Sequence, residues 1–243
     1  MSGTYCAIVP AAGSGRRFGA ALPKQYLPLH GATVIEHSLQ LLLGIERLQH
    51  IVVVVHPDDQ RWQAMPVFSD PRIHVARGGE ERSHSVLNGL RAIADAGIDA
   101  EWALVHDVAR PCCLRADIEK LIEHLQPHPV GGLLAIPASD TIKRVDAARQ
   151  IEETVDRAWL WQAQTPQLFR FRLLLDALSH CLGLGMAVTD EAQAVEALGW
   201  QAQVVEGSRR NIKITRSEDL ALAEFFLRES DRPEQDSSKQ VQP

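Results

Sequence analysis

An unbroken run of β-branched residues, Ile51-Val52-Val53-Val54-Val55, constrains the fold most strongly. Such a run is typical of a strand that is buried on both faces, as in a parallel sheet covered by helices. Apolar runs alternate with amphipathic helical patterns along the chain, and this alternation is typical of α/β proteins. We therefore predict a Rossmann-like, mostly parallel sheet with helices on both faces.

Local patterns place the elements of this predicted fold. Apolar runs predict strands over 6–10, 51–55, 72–76, 103–106, 132–137, 202–205 and 212–215. Helical periodicity predicts helices over 33–43, 58–65, 82–96, 115–125, 170–182, 190–198 and 217–229. Thr33 and Glu36 have the spacing of a capping box, which supports the start of the first helix.

Two stretches depart from the alternating pattern. Residues 138–159 are polar and charged, and we predict that they leave the core as an extended β-arm. Residues 230–243 contain almost no aliphatic side chains, and we predict that they form a disordered tail. The remaining chain shows no internal boundary, so we expect residues 1–229 to form a single domain that includes the arm.

Composition narrows the class of protein. The net charge of −6 argues against general nucleic-acid binding, which needs a basic face. No apolar run reaches the roughly 18 residues of a membrane helix, and no signal-peptide pattern is visible. The four cysteines lack the spacing of a zinc site, so we expect free thiols. We expect a cytoplasmic protein that binds neither nucleic acid nor membrane.

The loop after the first predicted strand is rich in glycine and cations. It reads Pro10-Ala11-Ala12-Gly13-Ser14-Gly15-Arg16-Arg17-Phe18-Gly19 and continues to Pro23-Lys24-Gln25, with no acid between residues 11 and 34. The third glycine is one residue late for a dinucleotide fingerprint, and the P-loop string is absent. A cationic loop that closes over a polyphosphate fits better than either motif. The alternative is a glycine-rich surface turn with incidental arginines.

Three other segments carry candidate ligand groups. Residues 78–85 precede a helix and could bind a base or ribose, or form an ordinary helix cap. Asp107 and Arg110 follow a buried strand, where the carboxylate suits substrate hydroxyls or a metal; the alternative is an ion pair that fixes the loop. Lys213 lies in an apolar run, either pointing into an anionic site or exposed on an edge strand.

These motifs together resemble the family of 2-C-methyl-D-erythritol 4-phosphate cytidylyltransferases of non-mevalonate isoprenoid biosynthesis. The matching strings occur in the family's order between residues 9 and 227. They are Pro-Ala-Ala-Gly-Ser-Gly-Arg-Arg, Pro-Lys-Gln-Tyr, Gly-Gly-Glu-Glu-Arg-x-x-Ser-Val, His-Asp-x-Ala-Arg-Pro, Asp-Thr-Ile-Lys-Arg, Gln-Thr-Pro-Gln, Thr-Asp-Glu-Ala and Glu-Gly-x-x-x-Asn-Ile-Lys-Ile-Thr.

The resemblance implies an activity and a set of site residues. The activity joins CTP and methylerythritol phosphate into a cytidine diphospho-alcohol and pyrophosphate, with Mg²⁺ as cofactor and no assigned protein ligand of the metal. Family members are homodimers whose arm reaches the partner's site. The implied catalytic residues are Arg17, Lys24, Arg157 and Lys213; the nucleotide-binding residues are Ala11, Ala12, Gly13, Gly79, Glu80 and Ser85; and the substrate-binding residues are Asp107, Arg110, Thr141 and Thr165.

Two other functions stay open on the residues alone. A ribitol-phosphate or other polyol-phosphate cytidylyltransferase would need nearly the same groups. A non-catalytic nucleotide-binding protein would have little need for Arg17, Lys24 and Lys213 around one phosphorus. An oxidoreductase is disfavoured by the displaced third glycine of the first loop.

Overall fold

The structure, a computed structural model, describes residues 3–13 and 22–231. The strands are β1 (Tyr5–Pro10), β2 (Pro28–Leu29), β3 (Ala32–Thr33), β4 (Leu48–Val55), β5 (Ile73–Arg77), β6 (Trp102–Val105), β7 (Gly131–Pro137), β8 (Ile142–Val145), β9 (Ile151–Val155), β10 (Trp161–Arg170) and β11 (Gln203–Glu206). The helices are α1 (Val34–Leu43), α2 (Arg82–Asp95), α3 (Arg115–Leu125), α4 (Phe171–Gly183), α5 (Glu191–Ala197) and α6 (Glu218–Asp231).

The central sheet has seven strands in the order β11-β7-β10-β6-β1-β4-β5. Strand β1 pairs in parallel with both β4 and β6, whereas β10 runs antiparallel to β6 and β7. The mostly parallel fold class predicted from the sequence is therefore confirmed. The strand order reverses at β1, and in such sheets ligands bind beyond the carboxyl ends of the strands at this point.

Two apolar layers enclose the sheet. Ile51 and Val53 pack in the layer that contains α1 and α3, and Val52 and Val54 pack in the layer that contains α2 and α4. Successive residues of a strand point to opposite faces, so alternate side chains of this run enter opposite layers. All four are buried because helices cover both faces of the sheet. The unbroken apolar run from Ile51 to Val55 is thus explained by a strand covered on both sides.

Residues 138–159 contain the antiparallel hairpin of β8 and β9, which pair with each other and not with the central sheet. This is the β-arm expected from the polar composition of the stretch. Residues 232–243, which contain most of the predicted tail, lie outside the described residues. Among the helices of the described ranges, none has both the length and the apolar character needed to cross a membrane.

Three predictions of local structure were wrong. Residues 212–215 form no strand, because the Ile214 N–H donates to the Ala109 carbonyl (2.8 Å) in a loop. Residues 58–65 contain a short 3₁₀ turn, Arg61–Ala64, in place of an α-helix, and Pro66 starts a second such turn. Strand β10 was not predicted, because its polar residues interrupt the apolar pattern.

Helix α2 approaches the sheet closely at Gly89, where an added Cβ would lie 2.6 Å from Ile8 Cγ2 and 3.0 Å from Val54 Cγ2. We predict that Gly89→Ala lowers the free energy of unfolding by about 1–3 kcal/mol through overpacking, despite the helical preference of alanine. Gly183→Ala is the matched control, since a Cβ at Gly183 in α4 meets nothing within 4 Å. Urea unfolding that ranked the Gly89 variant as the more stable of the two would contradict this packing.

Candidate active site

Two loops meet at the carboxyl edge of the sheet. The Ala11 N–H donates to the Val54 carbonyl (2.8 Å), and the Gly78 N–H donates to the Val55 carbonyl (2.7 Å). A Cβ at Gly78 would lie 2.3 Å from the Cβ of Ala12, so only glycine allows this approach. The structure therefore brings the loop after β1 against the segment that precedes α2.

The predicted nucleotide-binding residues lie around this contact. Ala11 and Ser85 are buried, and the Gly79 N–H donates to the Ser85 hydroxyl (3.1 Å), which donates in turn to the Glu81 carbonyl (3.1 Å). The Glu80 side chain and Gly13 are exposed. Arg17, the predicted catalytic residue of the same loop, lies outside the described residues.

Asp107 is the centre of a network of charges. Its side chain is buried at the end of β6, with Oδ1 2.7 Å from Arg82 Nε and Oδ2 2.6 Å from Lys213 Nζ. Arg82 also binds Glu191: its Nη1 donates to Glu191 Oε1 (2.7 Å) and its Nη2 donates to Glu191 Oε2 (3.1 Å). Two carboxylates and two cations thus form one connected cluster, the Asp107 cluster of Asp107, Arg82, Lys213 and Glu191.

The cations decide the protonation of this cluster. Burial alone would raise the pKa of Asp107, but the charges and hydrogen bonds of Arg82 and Lys213 outweigh burial and hold that pKa well below its usual range. Burial likewise opposes the charge of Arg82, yet Glu191 and Asp107 together raise the pKa of the guanidinium. Asp107 is therefore an anion at neutral pH.

Arg82 and Glu191 were missed as functional residues by the sequence analysis. Both stood inside motifs that were noted, but each has an ordinary explanation as a charged residue in the first turn of a helix. The signal that distinguishes Glu191 is burial, since it is 0% exposed. Nothing in the spacing of residues 82 and 191 indicated that they would meet.

A buried hydrogen-bond chain fixes the backbone beside Asp107. The Asp107 N–H donates to the Thr165 hydroxyl (3.0 Å), which lies 3.4 Å from His106 Nδ1. His106 Nε2 lies 3.2 Å from the Arg110 carbonyl, so Nε2 carries the proton and Nδ1 accepts. Burial lowers the pKa of His106 to about 4, and the ring is neutral at physiological pH.

The loop of residues 211–214, called the strap here, carries Lys213. Arg110 Nη1 donates to the Asn211 carbonyl (2.6 Å), and the buried Asn211 amide donates to the Thr165 carbonyl (2.8 Å). Lys24 Nζ donates to the Ile214 carbonyl (3.0 Å). The structure thus brings the predicted residues Lys24, Lys213 and Arg110 together along one short segment.

Thr141 and Arg157 lie on the arm. The Thr141 side chain is exposed, and Arg157 donates to the Ser139 carbonyl at the base of the hairpin. Arg209 Nη1 also reaches Ser139, donating to its hydroxyl (3.0 Å). Within residues 3–13 and 22–231, no hydrogen bond or ion pair joins Thr141 or Arg157 to the Asp107 cluster.

The fold and this edge define a class of protein. A carboxylate paired with Arg82 and Lys213 lies buried at the switch point of a mostly parallel sheet, and Lys24 bonds to the residue after Lys213, as in an α/β enzyme that binds nucleotides. The sequence model of the IspD family, described as 2-C-methyl-D-erythritol 4-phosphate cytidylyltransferase, matches residues 5–229. The chain belongs to this family, and it is a nucleotidyltransferase.

Individual relatives agree with the family match. The chain is 50% identical over 217 residues to the 2-C-methyl-D-erythritol 4-phosphate cytidylyltransferase of Pseudomonas putida, covering 89% of this chain and 92% of that one. It is 48% identical over 227 residues to the enzyme of the same name from Vibrio vulnificus, covering 93% and 96%.

Solved structures show the same architecture. The crystal structure of the Francisella tularensis 2-C-methyl-D-erythritol 4-phosphate cytidylyltransferase superposes with a TM-score of 0.77 at 35% identity, over 92% of this chain and 99% of that one. A crystal structure named 4-diphosphocytidyl-2C-methyl-D-erythritol synthase gives a TM-score of 0.80 at 38% identity, over 93% and 99%.

The neutral state of His106 predicts a pH dependence of stability. In the unfolded chain the imidazole takes up a proton below its ordinary pKa of 6.5, whereas in the folded state it does so only near 4. The contribution of His106 to stability is therefore complete above pH 6.5 and is lost as the pH falls towards 4. Between about pH 7.5 and pH 5, wild type should lose about 2 kcal/mol more than His106→Gln.

His180→Gln, a change of the same kind at an exposed position of α4, should leave the wild-type pH dependence of stability intact. Chemical denaturation of the three proteins at both pH values measures the difference. Equal losses in wild type and His106→Gln would show that the buried ring is not the titrating group.

Proposed function

We propose that the Asp107 cluster and the loops beside it form the active site of a 2-C-methyl-D-erythritol 4-phosphate cytidylyltransferase of isoprenoid biosynthesis. A phosphate oxygen of methylerythritol phosphate attacks the α-phosphorus of CTP. The bond from that phosphorus to the β-phosphate oxygen breaks, and pyrophosphate leaves. The observation that carries this assignment is that Lys24 bonds to the Ile214 carbonyl of the strap, next to Lys213, whose Nζ pairs with Asp107.

Electrostatics supplies most of the catalysis in this proposal. Two anions must approach each other, so fixed cations are needed around the reacting phosphorus. Lys24, Lys213 and Arg17 would stabilise the charge that develops on the triphosphate. The nucleophile is already an anionic phosphate oxygen, so no general base is required. Positioning by the rigid sheet edge then provides the remaining rate enhancement.

The two substrates would occupy neighbouring parts of the edge. We assign the cytidine to the contact between the first loop and α2, where Ala11, Ala12 and Gly79 present backbone groups and Ser85 a hydroxyl; Gly13 and Glu80 would complete its pocket. We assign the alcohol phosphate to the other side of Asp107, where Arg110 and Thr165 lie. The support for this division is that the Asp107 side chain bonds to Arg82 in the first turn of α2, whereas its backbone N–H bonds to Thr165.

We propose that Mg²⁺ binds at this site together with the triphosphate. Asp107 offers the hard carboxylate oxygens that Mg²⁺ prefers, although Arg82 and Lys213 bond to both. The described ranges contain no group of three or more His, Cys, Asp or Glu residues able to hold a metal. Most ligands would therefore come from phosphate oxygens and water, and Asp107 could donate to the ion only if Lys213 turned away from Oδ2. When bound, the ion would neutralise charge on the triphosphate.

We further propose that the protein acts as a homodimer joined through the arm. The arm exposes large apolar side chains, with Trp159 at 87%, Ile151 at 64% and Val145 at 47%. Large apolar side chains exposed along one arm are typical of an interface. In the dimer, Thr141 and Arg157 would contact the alcohol phosphate in the partner's site.

Lys213→Ala should lower turnover about 10²–10³-fold, the usual effect of removing one charge-stabilising contact. Lys120→Ala is the matched control, since Lys120 on α3 is half exposed and pairs with Asp117 and the Glu206 carbonyl, neither of which belongs to the Asp107 cluster. Pyrophosphate release from CTP and methylerythritol phosphate is the readout, with ribitol phosphate in a parallel assay. Faster turnover of ribitol phosphate by wild type would reassign the substrate, and full activity of Lys213→Ala would reject its role.

Mixing two inactive variants tests the shared site. If Lys24 acts in its own subunit and Arg157 acts in the partner, a heterodimer of Lys24→Ala and Arg157→Ala has one intact site. Random exchange makes half of the dimers heterodimers, so roughly a quarter of wild-type activity should return. Absence of recovery, once subunit exchange has been shown by mass spectrometry, would place both residues in the same subunit's site or outside it.

A further inference from the structure

We propose that Glu191 is a positioning residue of this reaction, which acts through Arg82 on Asp107. The inference rests on the proposed function of the Asp107 cluster. It assigns a role to a carboxylate that neither contacts the strap nor lies in the loops around the substrates.

The burial of the Glu191 carboxylate requires a cationic partner. Its side chain is 0% exposed, and a buried carboxylate is stable only when both its charge and its lone pairs are satisfied. Both oxygens accept from Arg82, at 2.7 Å and 3.1 Å, in a bidentate arrangement. The planar guanidinium is thereby fixed in orientation as well as in place. The third nitrogen of the guanidinium, Nε, donates to Asp107 Oδ1 (2.7 Å).

The position of Glu191 is itself fixed by the sheet. Glu191 is the first residue of α5, and the side chain of Asp190 caps this helix by accepting from the Gln193 N–H (3.0 Å). Gln167 of β10 donates to Asp190 Oδ2 (3.0 Å) and accepts from the Ala192 N–H (2.9 Å). Strand β10 thus holds the first turn of α5 on both sides of Glu191. A rigid element therefore supports the pair of Glu191 and Arg82.

The two cations on Asp107 are consequently not equivalent. Arg82 is anchored by two bonds to Glu191, and its side chain is 26% exposed. Lys213 has 39% of its side chain exposed and meets Asp107 at 2.6 Å from the strap. When a phosphate arrives, Lys213 is the partner that turns to it, while Arg82 stays and keeps Asp107 neutralised and oriented. Without Glu191, Arg82 would also be released towards the incoming anion.

Glu191→Gln keeps the shape of the side chain and removes its charge. We expect turnover to fall about 10–100-fold, the scale of a small misplacement of reacting groups, with the KM of each substrate changed less than threefold. Glu119→Gln is the matched control, because Glu119 also pairs with an arginine (Arg115, 2.7 Å) but on the exposed face of α3. Rates are normalised to the folded fraction measured by circular dichroism.

A second comparison separates positioning from stability. Arg82→Met and the double variant Arg82→Met/Glu191→Gln should have equal turnover, because Glu191 acts only through Arg82. Arg82→Met alone leaves Glu191 buried without its cation, so both rates are normalised to the folded fraction, whereas the double variant holds no unpaired buried carboxylate. Wild-type turnover of folded Glu191→Gln, or a double variant that is slower than Arg82→Met, would overturn the inference. Inactive wild-type protein would overturn the proposed function itself.

Discussion

The site depends on one constraint, namely that a buried carboxylate stays ionised only with cations beside it. Asp107 is 6% exposed at the end of β6 and meets this condition through Arg82 and Lys213. Arg82 begins α2, and Lys213 belongs to the strap after β11, so the two ion pairs join segments that are distant in the sequence. Asp107 therefore joins the start of α2 to the strap, the two segments beside which the proposed reaction would place its substrates.

The antiparallel strand β10 explains how so many polar groups reach this edge. A strand that runs against its neighbours begins where theirs end. Trp161 at the start of β10 pairs with Pro137 at the end of β7, and Gln167 pairs with Val105 at the end of β6. Gln164 donates to the Ser208 carbonyl (2.9 Å) ahead of the strap, Thr165 accepts from the Asp107 N–H, and Gln167 holds α5. One strand thus supports the strap, Asp107 and Glu191 together. These buried polar residues are the reason why its sequence does not resemble a strand.

The sequence predicted the parts of the structure that local patterns determine. The run from Ile51 to Val55 and the capping box of Thr33 and Glu36 are both found as expected, because each depends on residues that are close in the chain. The strap and Glu191 could not be predicted in this way. The apolar residues around Lys213 indicated a strand, but Ile214 is buried by a loop contact to Ala109. The partnership of Arg82 and Glu191 spans more than a hundred residues and is decided only by packing.

Asp107 holds two cations in place in the absence of substrate. Arg82 and Lys213 are like charges bonded to one carboxylate, and their mutual repulsion would favour moving the more exposed lysine into water if no anion lay between them. Asp107 keeps both in place, and Glu191 brings the cluster of two acids and two bases to zero net charge. In the proposed reaction, an arriving phosphate would compete with Asp107 for a lysine that is already at the right position. Since the lysine is ordered in advance, less conformational entropy is lost when the phosphate binds.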